Sequence, residues 1–153
     1  MQTALFLTLL PTVFNLIGIE RLSEWKRFRD TLEVSEDPFN QCAEFWAKAP
    51  FVNRYLDYQS PACWPDPWRL VLDSKYDNLA IALGMLYTLQ LTTRFTTADF
   101  QIYMTSNREK NDEEFYLLVN NTHVLNLDYG AATGRNRLFS LKTSKVFPDS
   151  SLK

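Results

Sequence analysis

Two thiols and one imidazole are the groups in this chain best suited to covalent chemistry: Cys42, Cys63 and His123, the sole histidine among 153 residues. A thiolate attacks a carbonyl when an imidazole takes its proton and a carboxylate orients that imidazole, so Cys63 with His123, steered by Asp128, is the dyad this inventory offers. The setting Pro61-Ala62-Cys63-Trp64-Pro65 supplies neither a helix N-terminus directly after the thiol nor a neighbouring cation, the two usual means of lowering its pKa. A lone histidine and the lack of a Cys-x-x-C pair argue against a zinc site and a disulfide framework, leaving two reduced, half-buried thiols as the plain expectation. The glycines at Gly130 and Gly134 lack the lysine and hydroxyl of a phosphate-binding loop and read as a turn. No metal and no cofactor is expected.

Charge narrows the partners. A net charge of -2 gives no overall positive field, so neither nucleic acid nor an anionic membrane is expected as the main partner. With 46% hydrophobic and 14% aromatic residues the chain buries a real core and is expected to form one domain over 1–153. Its ends differ from the middle. Ala4 to Ile19 is apolar but broken by Thr8, Pro11, Thr12 and Asn15, and no Lys or Arg precedes it, so a membrane span or a secretory signal is not expected. Residues 1–18 read as a buried helix or as an arm that docks on a neighbour. From 130 to 153 the bases Arg135, Arg137, Lys142, Lys145 and Lys153 outweigh Asp149, which marks a basic extension, with an edge strand possible over Arg137 to Lys142.

The elements that must position these groups change period midway. Ile19, Leu22, Trp25 and Phe28 recur at helical spacing, with Glu20, Arg21 and Glu24 opposite. Asp37-Pro38 predicts a capped helix running to about Lys48. The proline- and aromatic-rich stretch from Phe51 to Trp68 reads as an ordered loop, with Asp66 capping a short helix from Pro67 to Leu72. Ser74 and Asp77 have the spacing of a capping box. Leu79 through Leu91 then leaves almost no polar face, which predicts a central buried helix, and Gly84 within it implies close packing. Beyond Thr92 alternation takes over at Phe100-Ile102-Met104, Phe115-Leu117-Val119 and Leu125-Leu127, joined by an exposed loop over Ser106 to Glu114 and by an Asn120-Asn121 turn. The expected class is α+β: N-terminal helices and one buried helix on an antiparallel sheet of three to four strands.

That order, with the run Tyr76-Asp77-Asn78-Leu79-Ala80-Ile81-Ala82 opening the helix and the hairpin Glu114 to Val119 with Val124-Leu125-Asn126, resembles transglutaminase-like cysteine peptidases. The resemblance implies a nucleophile at Tyr76, a base at or near Glu114 and an orienting residue at or near Asn126. None of the three is the family's residue. A phenol whose ordinary pKa is about 10 does not replace a thiolate, and a carboxylate facing an amide does not reproduce a His-Asp pair. The resemblance therefore implies the fold without the reaction. The pattern Trp64-Pro65-Asp66-Pro67-Trp68 followed by Tyr76 to Gly84 also resembles small virion proteins of tailed bacteriophages.

The expected role is a non-catalytic structural or assembly protein of such a virion, in its neck, tail or baseplate, binding other virion proteins in a symmetric assembly. The alternatives are a transglutaminase-like cysteine hydrolase using Cys63 and His123, or a peptide-binding pseudoenzyme whose cleft is lined by Trp64, Trp68 and Tyr76.

Overall fold

The computed structural model describes residues 13–107, 112–139 and 141–148. A 3-10 turn, Val13–Asn15, leads into α1, Gly18–Leu32, and then α2, Pro38–Ala47. After the aromatic loop come α3, Pro67–Val71, and α4, Asn78–Gln90. The strands β1, Phe100–Asn107, β2, Asp112–Val119, β3, His123–Asp128, and β4, Ala131–Gly134, follow, and α5, Arg135–Phe139, leads to β5, Thr143–Pro148. All the strands join one antiparallel sheet in the order β4-β3-β2-β1-β5. The fold is α+β, an apolar helix against a small antiparallel sheet.

Among the described residues the sheet has five strands, beyond the three to four expected, because the chain after Gly130 is part of it. Arg137 to Lys142 is not an edge strand: it begins in α5, whose Leu138 is 2% exposed. The edge strand is β5, whose Thr143, Val146 and Phe147 are of the β-branched and aromatic types that favour strands. Strands β1 and β2 also reach further than expected, to Asn107 and from Asp112, so that much of the expected loop is ladder. Residues 108–111, 140 and 149–153 lie outside the described residues.

Period-two alternation sorts the sheet into two buried faces. Phe100, Ile102, Phe115, Leu117, Val119 and Leu125 join the main core with α4. On the opposite face Tyr116, Leu118 and Val124 pack with Leu138, Tyr103 and Leu127. Every residue of α4 from Leu79 to Leu89 is buried, which its all-round apolar sequence requires.

Helix α4 touches α2 where it carries no side chain. A Cβ built on Gly84 would clash with the six-membered ring of the Trp46 indole, which is itself fully buried. Helix propensity favours alanine by ~1 kcal/mol, whereas overpacking a core costs about 1–3 kcal/mol, and Trp46 has nowhere to move. Gly84→Ala is therefore expected to lower stability on balance, seen as a reduced midpoint in urea unfolding; an unchanged or raised midpoint would contradict the packing described.

Two start signals moved. Asp37 does not cap α2 through its side chain; its carboxylate accepts from Asn40 Nδ2 at 2.9 and 3.1 Å. The cap of α4 is Asp77, not Ser74: Asp77 Oδ1 accepts from Ala80 N at 2.9 Å and the helix begins one residue later. At α3 the expected cap holds, with Asp66 Oδ1 accepting from Arg69 N at 2.9 Å. In α1 the polar and apolar sides are exchanged at two positions: Ile19 is 76% exposed and Arg21 only 6%. The first part of the apolar N-terminal run, 1–12, lies outside the described residues; within them Phe14 is buried among Phe45, Trp46 and Tyr76, and Ile17 is exposed.

Candidate functional site

The N-terminus of α4, the start of β2 and the middle of β3 meet at one place. Asn78 Oδ1 accepts from Phe115 N, and Asn126 Nδ2 donates to Phe115 O at 2.8 Å and lies 3.3 Å from Asn78 O. Strand β3 pairs with β2 only from Leu117 onward, so two asparagine side chains take the place of the strand that Phe115 would otherwise face. Asn126 holds φ at 72°, inside a strand whose pairing with β4 is irregular there. Asparagine is among the few residues that tolerate this left-handed conformation, and the carboxamide reaches Phe115 from it.

Asp77 fastens the opposite wall. Buried to 5% exposure, it caps α4 through Oδ1 while Oδ2 accepts from Tyr55 N at 2.8 Å and Leu56 N at 2.9 Å. The aromatic loop is thus pinned to the helix that follows it. Between this loop and the start of β2 lies an open groove of about 470 Å³, walled by Phe51, Tyr55, Tyr58 and Phe115 with Asp57, Glu113 and Glu114 along it. A second, more apolar compartment of about 240 Å³ adjoins it, formed by Ala43, Ala47, Ala49, Ile81, Met85 and Tyr129. Phe51 and Asn78 belong to both.

The residues expected to act do not assemble as a catalytic set. Tyr76 is fully buried, and its hydroxyl lies 2.7 Å from Leu70 O, 2.9 Å from Val71 O and 3.1 Å from Asp73 O. Burial drives its phenol well above the ordinary tyrosine range, with Arg21 opposing. It is a core residue and lines neither compartment. Glu114 is exposed and accepts from the Tyr116 hydroxyl at 2.7 Å. Burial pushes the Tyr116 phenol up to about 12, Thr105 acts against this and Glu114 adds to it. Of the three positions implied by resemblance, Asn126 sits at the junction and Glu114 beside it, but the helix supplies Asn78, not Tyr76.

Nor do Cys63 and His123 meet. His123 Nδ1 is 2.8 Å from Thr122 Oγ1 and its ring packs on Phe39 at 4.4 Å, and no hydrogen bond joins it to Cys63 among the described residues. Asp128 is five residues along β3, on the order of 16 Å away at the usual rise per residue, and is bonded to Arg137 instead. Cys63 is exposed, whereas Cys42 is fully buried and its thiol is pushed up by burial. The expectation of two half-buried thiols is thus replaced by one of each kind.

The tryptophans also part company. Trp64 is half-buried, with Nε1 donating to Asp57 O at 2.7 Å, and Trp68 is 49% exposed on α3. Neither lines the groove, whose walls come from residues 51, 53–59, 77–79 and 113–115. Tyr55 does line it: burial, and then the Asp73 carboxylate 2.7 Å from its hydroxyl, push this phenol up to about 12. Among the described residues no cluster of three or more His, Cys, Asp or Glu could hold a metal ion, and no helix is long and apolar enough to cross a membrane.

No protein-family model, curated protein or solved structure was found to match this chain.

Proposed function

We propose that this domain is a non-catalytic protein-binding part that holds a segment of a neighbouring protein in the two joined compartments at the N-terminus of α4. One observation carries the reading: the polar side chains at that junction are already committed to the fold, while the groove beside them is open. Asp77 is taken by three amides, Asn78 and Asn126 by Phe115, and Tyr76 by the core. What faces outward is ring surface, the carboxylates of Asp57 and Glu113, the amides of Asn53 and Gln59 and the guanidinium of Arg54, suited to holding a chain and not to cleaving one. A volume of about 470 Å³ lies within the ~300–1,000 Å³ of ordinary ligand sites.

The resemblance to transglutaminase-like enzymes and to virion proteins of tailed bacteriophages supplies the setting. In this reading the chain is an enzyme-like fold kept as an assembly part of a neck, tail or baseplate. Its neighbours are other virion proteins.

Sedimentation velocity of the purified chain, alone and mixed with purified candidate virion neighbours, tests this. A faster-moving complex is expected with at least one neighbour. Phe51→Asp, at a position 58% exposed and shared by both compartments, is expected to abolish that complex without changing the far-UV circular dichroism of the free chain. A chain that forms no complex, yet hydrolyses peptide or ester substrates in a manner removed by Cys63→Ala, would overturn the proposal.

A further inference from the structure

Strand β2 begins before its neighbour does. It pairs with β1 along its whole length, Asp112 to Val119, but with β3 only over Leu117 to Val119. Main-chain groups on a strand alternate sides with a period of two. Leu117 and Val119 face β3, and Phe115 faces the same way, its N–H and C=O met by Asn78 and Asn126. Glu113 is next in that series, so its N–H and C=O point out of the ladder on the groove side, where no described residue pairs with them. Among the described residues the groove therefore contains a short strand edge without a partner.

The walls around that edge are acidic. Asp57 and Glu113 bring carboxylates to the groove, with the Asp77 carboxylate buried behind them and that of Glu114 turned to Tyr116 on the other face of the sheet, and Arg54 is the one cation among the described lining residues. The aromatic lining already accommodates positive charge: Lys75 Nζ lies 5.4 Å above the ring of Tyr55. A bare edge offers main-chain hydrogen bonds to an extended peptide, and alternating side chains of that peptide meet the walls. Carboxylates and ring faces both favour ammonium or guanidinium groups in such positions.

We infer that the groove takes an extended lysine- or arginine-bearing segment of a partner protein, added as a strand against β2 at Glu113. This rests on the binding role proposed above and names the chemistry of what is bound. The acidic walls select against an acidic segment, and the requirement for main-chain pairing selects against a helical one.

The probe is a fluorescein-labelled, end-capped peptide alternating lysine and valine, read by anisotropy against the purified chain. Two further peptides are controls: one with glutamate for lysine, and one with its alternate backbone amides N-methylated, which keeps the charge and removes strand pairing. Binding is expected for the first alone, weakening at least tenfold between low and high salt. Glu113→Pro removes the outward N–H while leaving the β1 ladder intact, because that N–H takes no part in it, and is expected to abolish binding with the unfolding midpoint nearly unchanged. Glu113→Gln keeps the edge and is expected to weaken binding severalfold. Equal binding of the methylated peptide, equal binding of the glutamate peptide, or no binding of any would overturn the inference. Should a neighbour complex sensitive to Phe51→Asp persist in those cases, the protein-binding role survives and only the strand-addition mode falls.

Discussion

Thr88→Val will lower the free energy of unfolding by about 2–6 kcal/mol, because it strands two indole N–H groups in the core at roughly 1–3 kcal/mol each. Thr88 Oγ1 accepts from Trp25 Nε1 at 3.0 Å and from Trp46 Nε1 at 2.9 Å, and donates to Gly84 O at 2.6 Å. One hydroxyl has one proton and two lone pairs, and all are in use. All three side chains are essentially inaccessible to solvent, so no water replaces the missing oxygen. Valine has nearly the same shape, which isolates the polar contribution from packing. Because Trp25 lies on α1 and Trp46 on α2, this atom fastens both helices to α4. Urea unfolding with an unchanged slope is the measurement, and a loss under about 1 kcal/mol would show that the indoles find other partners.

Arg21→Met is expected to destabilise by a comparable amount, about 2–5 kcal/mol, because it leaves buried main-chain carbonyls without a donor at roughly 1–3 kcal/mol each, with Val71 and Asp73 still served by Tyr76. The guanidinium donates to Leu16 O at 2.7 Å, Phe14 O at 2.8 Å, Val71 O at 3.0 Å and Asp73 O, so one side chain ties the segment ahead of α1 to the end of α3. The Tyr76 hydroxyl can serve Val71 or Asp73 but not Leu16 or Phe14. Arg21→Lys should recover less than half of the loss, since an ammonium cannot span four acceptors in the plane of a fork. Hydrogen exchange will locate the damage, with faster exchange at residues 16 to 21 and at 71 to 76. A variant as stable as the parent would mean that these carbonyls are not held by Arg21.

Both hubs show what a linear reading detects and what it misses. The caps of α3 and the apolar run of α4 depend on residues a few positions apart, so their positions were legible with small shifts. The β1, β2 and β3 alternation was legible for the same reason. Arg21 was placed on the wrong side of α1 because its burial is justified by carbonyls some fifty residues away. Strand β5 went unseen because its pairing with β1 crosses the sheet, and α5 because Leu138 is drawn inward by a cluster assembled from β2 and β3. At the site, Tyr76 lay within the run taken to open the helix, yet the cap falls on Asp77 and the side chain that reaches β2 is that of Asn78. Two amides of a distant loop determine this, since they hold the Asp77 carboxylate, and no local spacing records them.

The placement of β5 has a consequence for how the chain matures. Hairpins β1-β2 and β2-β3 close over short separations, whereas Thr105 meets Thr143 only after the whole intervening chain has been made and threaded around. Until that last strand arrives, the outer side of β1 is an open template during synthesis, the kind of border that recruits another nascent copy. Pairing with β5 then covers that side of β1 and moves the border of the sheet to β5 itself, the last strand to be made.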